Sequence, residues 1–192
     1  MMQRPPGRPI SLATERFLVR TLTPADASDR WCAWSADPDI MGPLNVPAAR
    51  MTKDQLARYI ASHDSERAHL LGAFTKAMNQ HIGFFMIEHN RLHATASFNL
   101  VIGDKNYWGK GVVNEVRAAL LDEFFERHGV EKAYGTPLAR NFPAVFNYKA
   151  QGWKLEGVMR GQCKSVADGS RLDQYHFGML REEWRARNGA RP

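Results

Sequence analysis

The chain has 192 residues, 44% of them hydrophobic, with a formal charge of +6 and two cysteines. This length and composition fit one domain with a sizeable core. Cys32 and Cys163 are isolated and lack C-x-x-C spacing, which argues against a disulfide scaffold or a zinc knuckle. No apolar window approaches a signal peptide or a membrane span, so the expectation is a soluble, cytoplasmic protein with no membrane partner. Many of the arginines sit at the ends, at Arg4, Arg8, Arg181, Arg185, Arg187 and Arg191, where such tails are usually solvated. Without a nucleic-acid motif beside them, no specific nucleic-acid partner is expected.

Residues 1–14, proline-rich at their start, read as a flexible extension to a single domain over 15–187, with a short tail at 188–192. Residues 17–21 alternate apolar and polar as a strand does, and Pro24 with Asp26 opens a helical stretch carrying Trp31 and Trp34. Residues 36–50 contain Pro38, Gly42, Pro43 and Pro47 and read as a loop, a place where binding residues often sit. Thr52 and Gln55 form a capping box for a helix through about Ser65, with Leu56, Tyr59 and Ile60 facing inward. Three strand-like runs follow at 68–76, 81–88 and 94–103, separated by short polar turns, and suggest an antiparallel meander. Trp31 and Trp34, with Phe84, Phe85, Phe98, Phe124 and Phe125, are core candidates.

After the meander comes Asn106-Tyr107-Trp108-Gly109-Lys110-Gly111, directly ahead of a helical pattern through Val112, Val116, Ala119, Leu120 and Phe124 that stops at Gly129. Arg117, Glu123 and Arg127 are expected on its wet face. Gly109 and Gly111 allow the main chain close to a ligand, and the first amides of the helix lack internal partners, a combination suited to a pyrophosphate. The loop is not a Walker loop: five residues rather than four separate Gly103 from Gly109, and Gly111 stands where a Mg-binding hydroxyl is needed. Asn114 in place of the third glycine likewise argues against a dinucleotide fingerprint. A short strand over 130–137, a helix over 143–151 closed by Gly152, and a hairpin of 153–162 with 172–180 complete the chain.

This order of elements resembles the GNAT acyltransferase superfamily, which uses acetyl-CoA, from Phe17 to Trp184. Tyr107-Trp108-Gly109-Lys110-Gly111 followed by Glu115 is similar to the Y-W-G-K-G-x-x-x-E signature of the ribosomal-protein N-terminal (alanine) acetyltransferase branch. Asn141-Phe142-Pro143-Ala144 through Tyr148, Lys149, Gly152 and Trp153 resembles the N-x-x-(S/A)-x-x-x-Y-x-K-x-G-F block, and Glu156-Gly157-Val158-Met159-Arg160 the E-G-x-x-R that follows it. The resemblance implies an α/β (α+β) fold, a mixed and mostly antiparallel sheet of about seven strands flanked by about four helices. The sequence departs from the pattern at Asn106, where Gln or Arg is usual, at Gln151, which replaces a common Leu, and at Asn99-Leu100, which replaces Gly-Tyr.

By the same resemblance, acetyl-CoA (coenzyme A) is the co-substrate. Its pantetheine arm would lie beside Leu100, Val101 and Ile102, with Asn106, Trp108, Gly109, Lys110, Gly111, Val112 and Val113 around the pyrophosphate. Lys105, Lys110 and Arg117 either lend charge to the phosphates or are surface residues. Asn141 and Ala144 would contact the cofactor arm, Asn141 also serving as a helix cap. Tyr148 falls at the general-acid position, and Glu88, with Ser97 or Asn99 orienting water, is the candidate for removing the amine's proton. The acceptor is a peptide N-terminus or a small amine such as an amino sugar, polyamine or antibiotic. A non-catalytic acyl-CoA sensor and an RNA- or ribosome-associated protein are the rival readings, and the protein is expected as a monomer or homodimer. His89 and His93 are four apart, but the residues between them suggest a turn, and no metal is expected.

Overall fold

A computed structural model describes residues 7–189. Eight strands form one sheet in the order β1-β2-β3-β4-β5-β6-β8-β7. They are β1 (Ser11–Ala13), β2 (Phe17–Thr21), β3 (Ala68–Thr75), β4 (His81–Asn90), β5 (Thr95–Ile102), β6 (Lys132–Gly135), β7 (Lys154–Lys164) and β8 (Arg171–Leu180). Among the described residues six helices accompany it: α1 (Asp29–Ser35), α2 (Pro38–Met41), α3 (Lys53–Ala61), α4 (Val112–Arg127), α5 (Phe142–Ala150) and α6 (Arg181–Gly189). The expected meander is β3-β4-β5, antiparallel throughout, and the β5-β6 pair is the parallel one. Among the described residues no helix is long and apolar enough to cross a membrane.

Strand alternation divides the core. Leu71, Phe85, Ile87 and Phe98 point to the face covered by α4, where they meet Val116, Leu120, Leu121 and Phe124. Leu70, Phe74, Phe84 and Val101 point to the opposite face and pack with Trp31, Trp34, Leu56 and Ile60 of α1 and α3. The Thr52–Gln55 capping box is present, with Gln55 N–H donating to Thr52 Oγ1 at 3.2 Å and Thr52 N–H to Gln55 Oε1 at 2.8 Å.

Several expectations need correction. Residues 36–50 are not wholly a loop: Asp37 accepts from the Asp39 amide and Pro38 takes the first helical position, so the prolines start α2 instead of breaking structure. The helix after Thr52 ends at Ala61, short of Ser65. The first helical stretch is split, a 3-10 turn at Pro24–Asp26 preceding α1, which Ser28 caps. Residues 11–13 are paired with β2, inside the stretch read as an extension. The basic C-terminal segment is a helix: Trp184 donates to Asp122 at 2.6 Å, Arg185 pairs with Glu126 at 2.6 Å and Arg181 with Glu131 at 3.2 Å. Carboxylates at or just beyond the end of α4 therefore answer part of that charge. Arg4 and Arg191 lie outside the described residues.

Candidate active site

The site begins where β5 and β6 part. They pair as Thr95↔Lys132, Ala96↔Ala133 and Ser97↔Tyr134, and there the ladder ends although β5 runs on to Ile102. Past that point β6 leans toward β8: Gln174 donates to the Thr136 carbonyl at 2.6 Å and the Tyr175 amide to the Pro137 carbonyl at 3.0 Å. Tyr148 fills the wedge. Its hydroxyl donates to the Phe98 carbonyl at 3.0 Å, a group left without a β6 partner by the divergence, and its ring stacks on Phe177 at 5.1 Å. The opening leads into a cavity of about 730 Å³, within the usual range for a small-molecule site.

One end of the cavity is the glycine loop. Gly109 and Gly111 both adopt left-handed conformations, at φ +69° and +73°, and a Cβ on Gly109 would meet nothing within 4 Å. Gly111 is the N-cap of α4 and offers no side chain, and the helix's first internal bond runs from the Glu115 amide to the Gly111 carbonyl at 3.1 Å. The amides of Val112, Val113 and Asn114 precede that bond and carry the positive end of a long helix, the arrangement that receives phosphate. Glu115 fastens the loop to the sheet's edge. Its carboxylate accepts from Thr14 Oγ1 at 2.6 Å, the Arg16 amide at 2.8 Å and Arg16 Nε at 2.7 Å. Partial burial pushes its pKa up, but these donors together hold it below the ordinary carboxylate value.

The floor beneath Tyr148 holds Arg117, which is 1% exposed and not on the wet face as expected. Its guanidinium donates to Gln151 Oε1 and to the Asn147 carbonyl, the latter at 2.9 Å, and lies 4.3 Å from the centre of the Tyr148 ring. The physical reason is spacing: Arg117, Leu121 and Phe124 share one buried helical stripe, and the uncommon Gln151 supplies the acceptor. Burial brings the Arg117 pKa down to about 10, so it stays charged at neutral pH. Burial also raises the Tyr148 pKa, with Arg117 opposing.

Leu100, Val101, Ile102, Trp108, Gly109, Gly111, Val112, Val113, Asn141 and Ala144 all line this cavity together with Tyr148. Asn106, Lys110, Glu88 and Ser97 do not border it. The Asn106 amide donates to Asp104 at 3.0 Å, and Lys110 Nζ lies 5.7 Å from the Tyr107 ring. Lys105 is held by Asp37 and Asp39 at 2.8 and 2.7 Å. Glu88 shares the strand parity of Phe84 and Met86, so it sits on the α1–α3 side of β4, exposed, directly across from Ser97. Asn141 accepts from the Ala144 amide at 3.2 Å and donates to the Pro43 carbonyl at 3.3 Å, acting as a cap and a tie. Thr136, Pro137 and Leu138 were not foreseen as lining. The signal was the proline just after a short strand, which marks where pairing must stop.

Residues 36–50 and 164–171 also meet at the cavity rim. Asn45, left-handed at φ 58°, donates to the Lys164 carbonyl at 2.9 Å and accepts from the Val166 amide at 3.0 Å.

The acetyltransferase (GNAT) domain matches residues 16–152. Over 180 residues the chain is 24% identical to an uncharacterized N-acetyltransferase, p20, of Bacillus licheniformis, covering 91% of this chain and 98% of that protein. It superposes on the ribosomal-protein-S5-alanine acetyltransferase of Vibrio fischeri with a TM-score of 0.77 at 17% identity, covering 91% of this chain and 98% of that one. The spermidine N-acetyltransferase of Vibrio cholerae, in complex with CoA and spermine, gives a TM-score of 0.77 at 20% identity over 88% of this chain and 97% of that one. At such identities the solved structures speak for the fold alone. With the family's domain matched over residues 16–152, this chain belongs to the GNAT acetyltransferase family.

Proposed function

We propose that the protein transfers the acetyl group of acetyl-CoA to a primary amine by direct attack, and that its acceptor is the α-amine of a peptide. The observation carrying this reading is the single cavity that joins the uncapped amides of α4 to the Tyr148 hydroxyl through the gap between β5 and β6. In the reading, the amides of residues 111–114 hold the diphosphate, the free edge of β5 along Asn99–Ile102 bonds the pantetheine arm, and Tyr148 waits at the thioester.

Acyl transfer forms a C–N bond and breaks a C–S bond. The amine loses a proton and the departing sulfur gains one. Tyr148, protonated at neutral pH, is the proton source for the thiolate, and Arg117 beneath its ring steadies the phenolate left behind. Asp39 is the one carboxylate among the lining residues, and it is already paired with Lys105 at 2.7 Å; no histidine joins it. Water therefore takes the amine's proton. So weak a base favours an acceptor with a large neutral fraction: an α-amine of pKa about 8 is roughly one-tenth neutral at pH 7, a lysine amine of about 10.4 roughly once in 2,500. A lone, committed carboxylate is also a poor receptor for a polyamine.

The test is thiol release from acetyl-CoA with purified protein against N-terminal peptides, amino sugars, polyamines and aminoglycosides. Turnover confined to peptides supports the proposal. Turnover confined to a small amine overturns the acceptor, and no release with any amine leaves an acyl-CoA sensor as the better reading.

A further inference from the structure

On the α4-covered face of the sheet, far from the glycine loop, three histidines from three elements converge. His69 comes from β3, His89 from β4, and His128 follows the last turn of α4; one ring nitrogen from each lies within 4.8 Å of the other two. α4 has 16 residues, which puts the cluster about 24 Å along the helix from Gly111. None of the three borders the cavity. His93, four residues after His89 in sequence, is exposed in the β4–β5 turn and stands apart from the cluster.

The cluster breaks a rule of protein interiors. His69 is 1% exposed and His89 5%, yet among the described residues neither ring nitrogen of His69, nor Nδ1 of His89, has a hydrogen-bond partner. Buried polar atoms are normally satisfied, and leaving them without partners costs stability. The rings are fixed around one aromatic: Phe124 stacks on His128 at 4.6 Å and meets His69 edge-on at 5.0 Å. His69 and His128 stand nearly perpendicular, at 87°, so they converge without stacking.

We propose that His69, His89 and His128 form a zinc-binding site. Three neutral imidazoles and a water are a donor set that Zn²⁺ accepts, whereas calcium and magnesium require oxygen ligands. His128 Nε2 lies 3.4 Å from Glu123 Oε1, and a proton held there by the carboxylate leaves Nδ1 free for metal. Tetrahedral zinc with bonds of about 2.0–2.1 Å places its nitrogen ligands about 3.4 Å apart, so small ring rotations close the site. The ion would pin β3 and β4 to the end of α4. This reading is independent of the acetyl-transfer proposal.

The full chain, stripped with EDTA and dialysed, is titrated with ZnCl₂ and read by native mass spectrometry and thermal melting, with Co²⁺ absorption as the probe of coordination. The expected result is one Zn²⁺ per chain at micromolar concentration, a raised melting temperature, and a tetrahedral Co²⁺ spectrum. His128→Ala, at the least buried of the three, should weaken Zn²⁺ binding by at least about 100-fold, the upper end of what losing an outer-shell partner costs, and abolish the melting shift, while His93→Ala changes neither. His69→Asn gives the same loss if it folds, and if it does not, His128→Ala alone decides. Absence of stoichiometric zinc on the wild-type chain, or wild-type affinity in His128→Ala, overturns the site.

Discussion

Gly135 and Tyr148 occupy a single space: a Cβ built on Gly135 would lie 1.9 Å from the Tyr148 phenol oxygen. The last residue of β6 must lack a side chain for the phenol to reach the Phe98 carbonyl across the gap. Fold and site are joined at this contact, because the ring that fills the wedge is also the proposed proton donor.

Gly135→Ala should therefore damage both. Forcing a methyl into that packing costs about 1–3 kcal/mol, read as a lower denaturation midpoint, and displaces Tyr148 enough to reduce turnover. A variant with wild-type stability and activity would show that the wedge is loosely packed.

Tyr148→Phe keeps the stacking on Phe177 and removes the hydroxyl alone. Loss of a general acid lowers kcat by about 100-fold or more, while acetyl-CoA affinity measured by calorimetry holds. An unchanged rate would remove Tyr148 from the chemistry.

Asn45 ties the two rim segments, and Asn45→Gly preserves its left-handed turn while deleting both side-chain bonds. Losing about 1 kcal/mol of rim order corresponds to roughly a fivefold rise in acceptor KM, with acetyl-CoA binding unaltered. A fall in cofactor affinity would mean that the rim serves the cofactor and not the acceptor.

The second core supplies a pH dependence. Burial among Trp31, Trp34 and Phe74 brings the His81 pKa from 6.5 down to about 4; the Gly83 carbonyl and Asp26 resist, while Arg20 and Arg30 assist. The folded value is below the unfolded one, so its contribution is complete above pH 6.5 and is lost as pH falls toward 4. That amounts to up to about 3 kcal/mol. Urea unfolding of His81→Phe across this window should show a shallower decline than wild type, and equal slopes would contradict the assignment.

Much of this was legible in the sequence where the determinants are local. The capping box at Thr52, the glycines before α4 and the polar turns of the meander each carry their signal within a few residues. What escaped was set by distant partners. Arg117 reads as a surface residue until Gln151 and the Asn147 carbonyl are brought beneath it. Glu88 reads as a base until the β4–β5 register sets it opposite Ser97, outside the lining of the cavity. The histidines at 69, 89 and 128 have no common spacing, since three separate elements deliver them.

The central claim is that the amides opening α4 grip the diphosphate of acetyl-CoA. A crystal structure of the acetyl-CoA complex tests it most directly. Diphosphate oxygens are expected about 2.7–3.2 Å from amide nitrogens of residues 111–114, with the thioester beside the Tyr148 hydroxyl. A diphosphate bound away from these amides would contradict it.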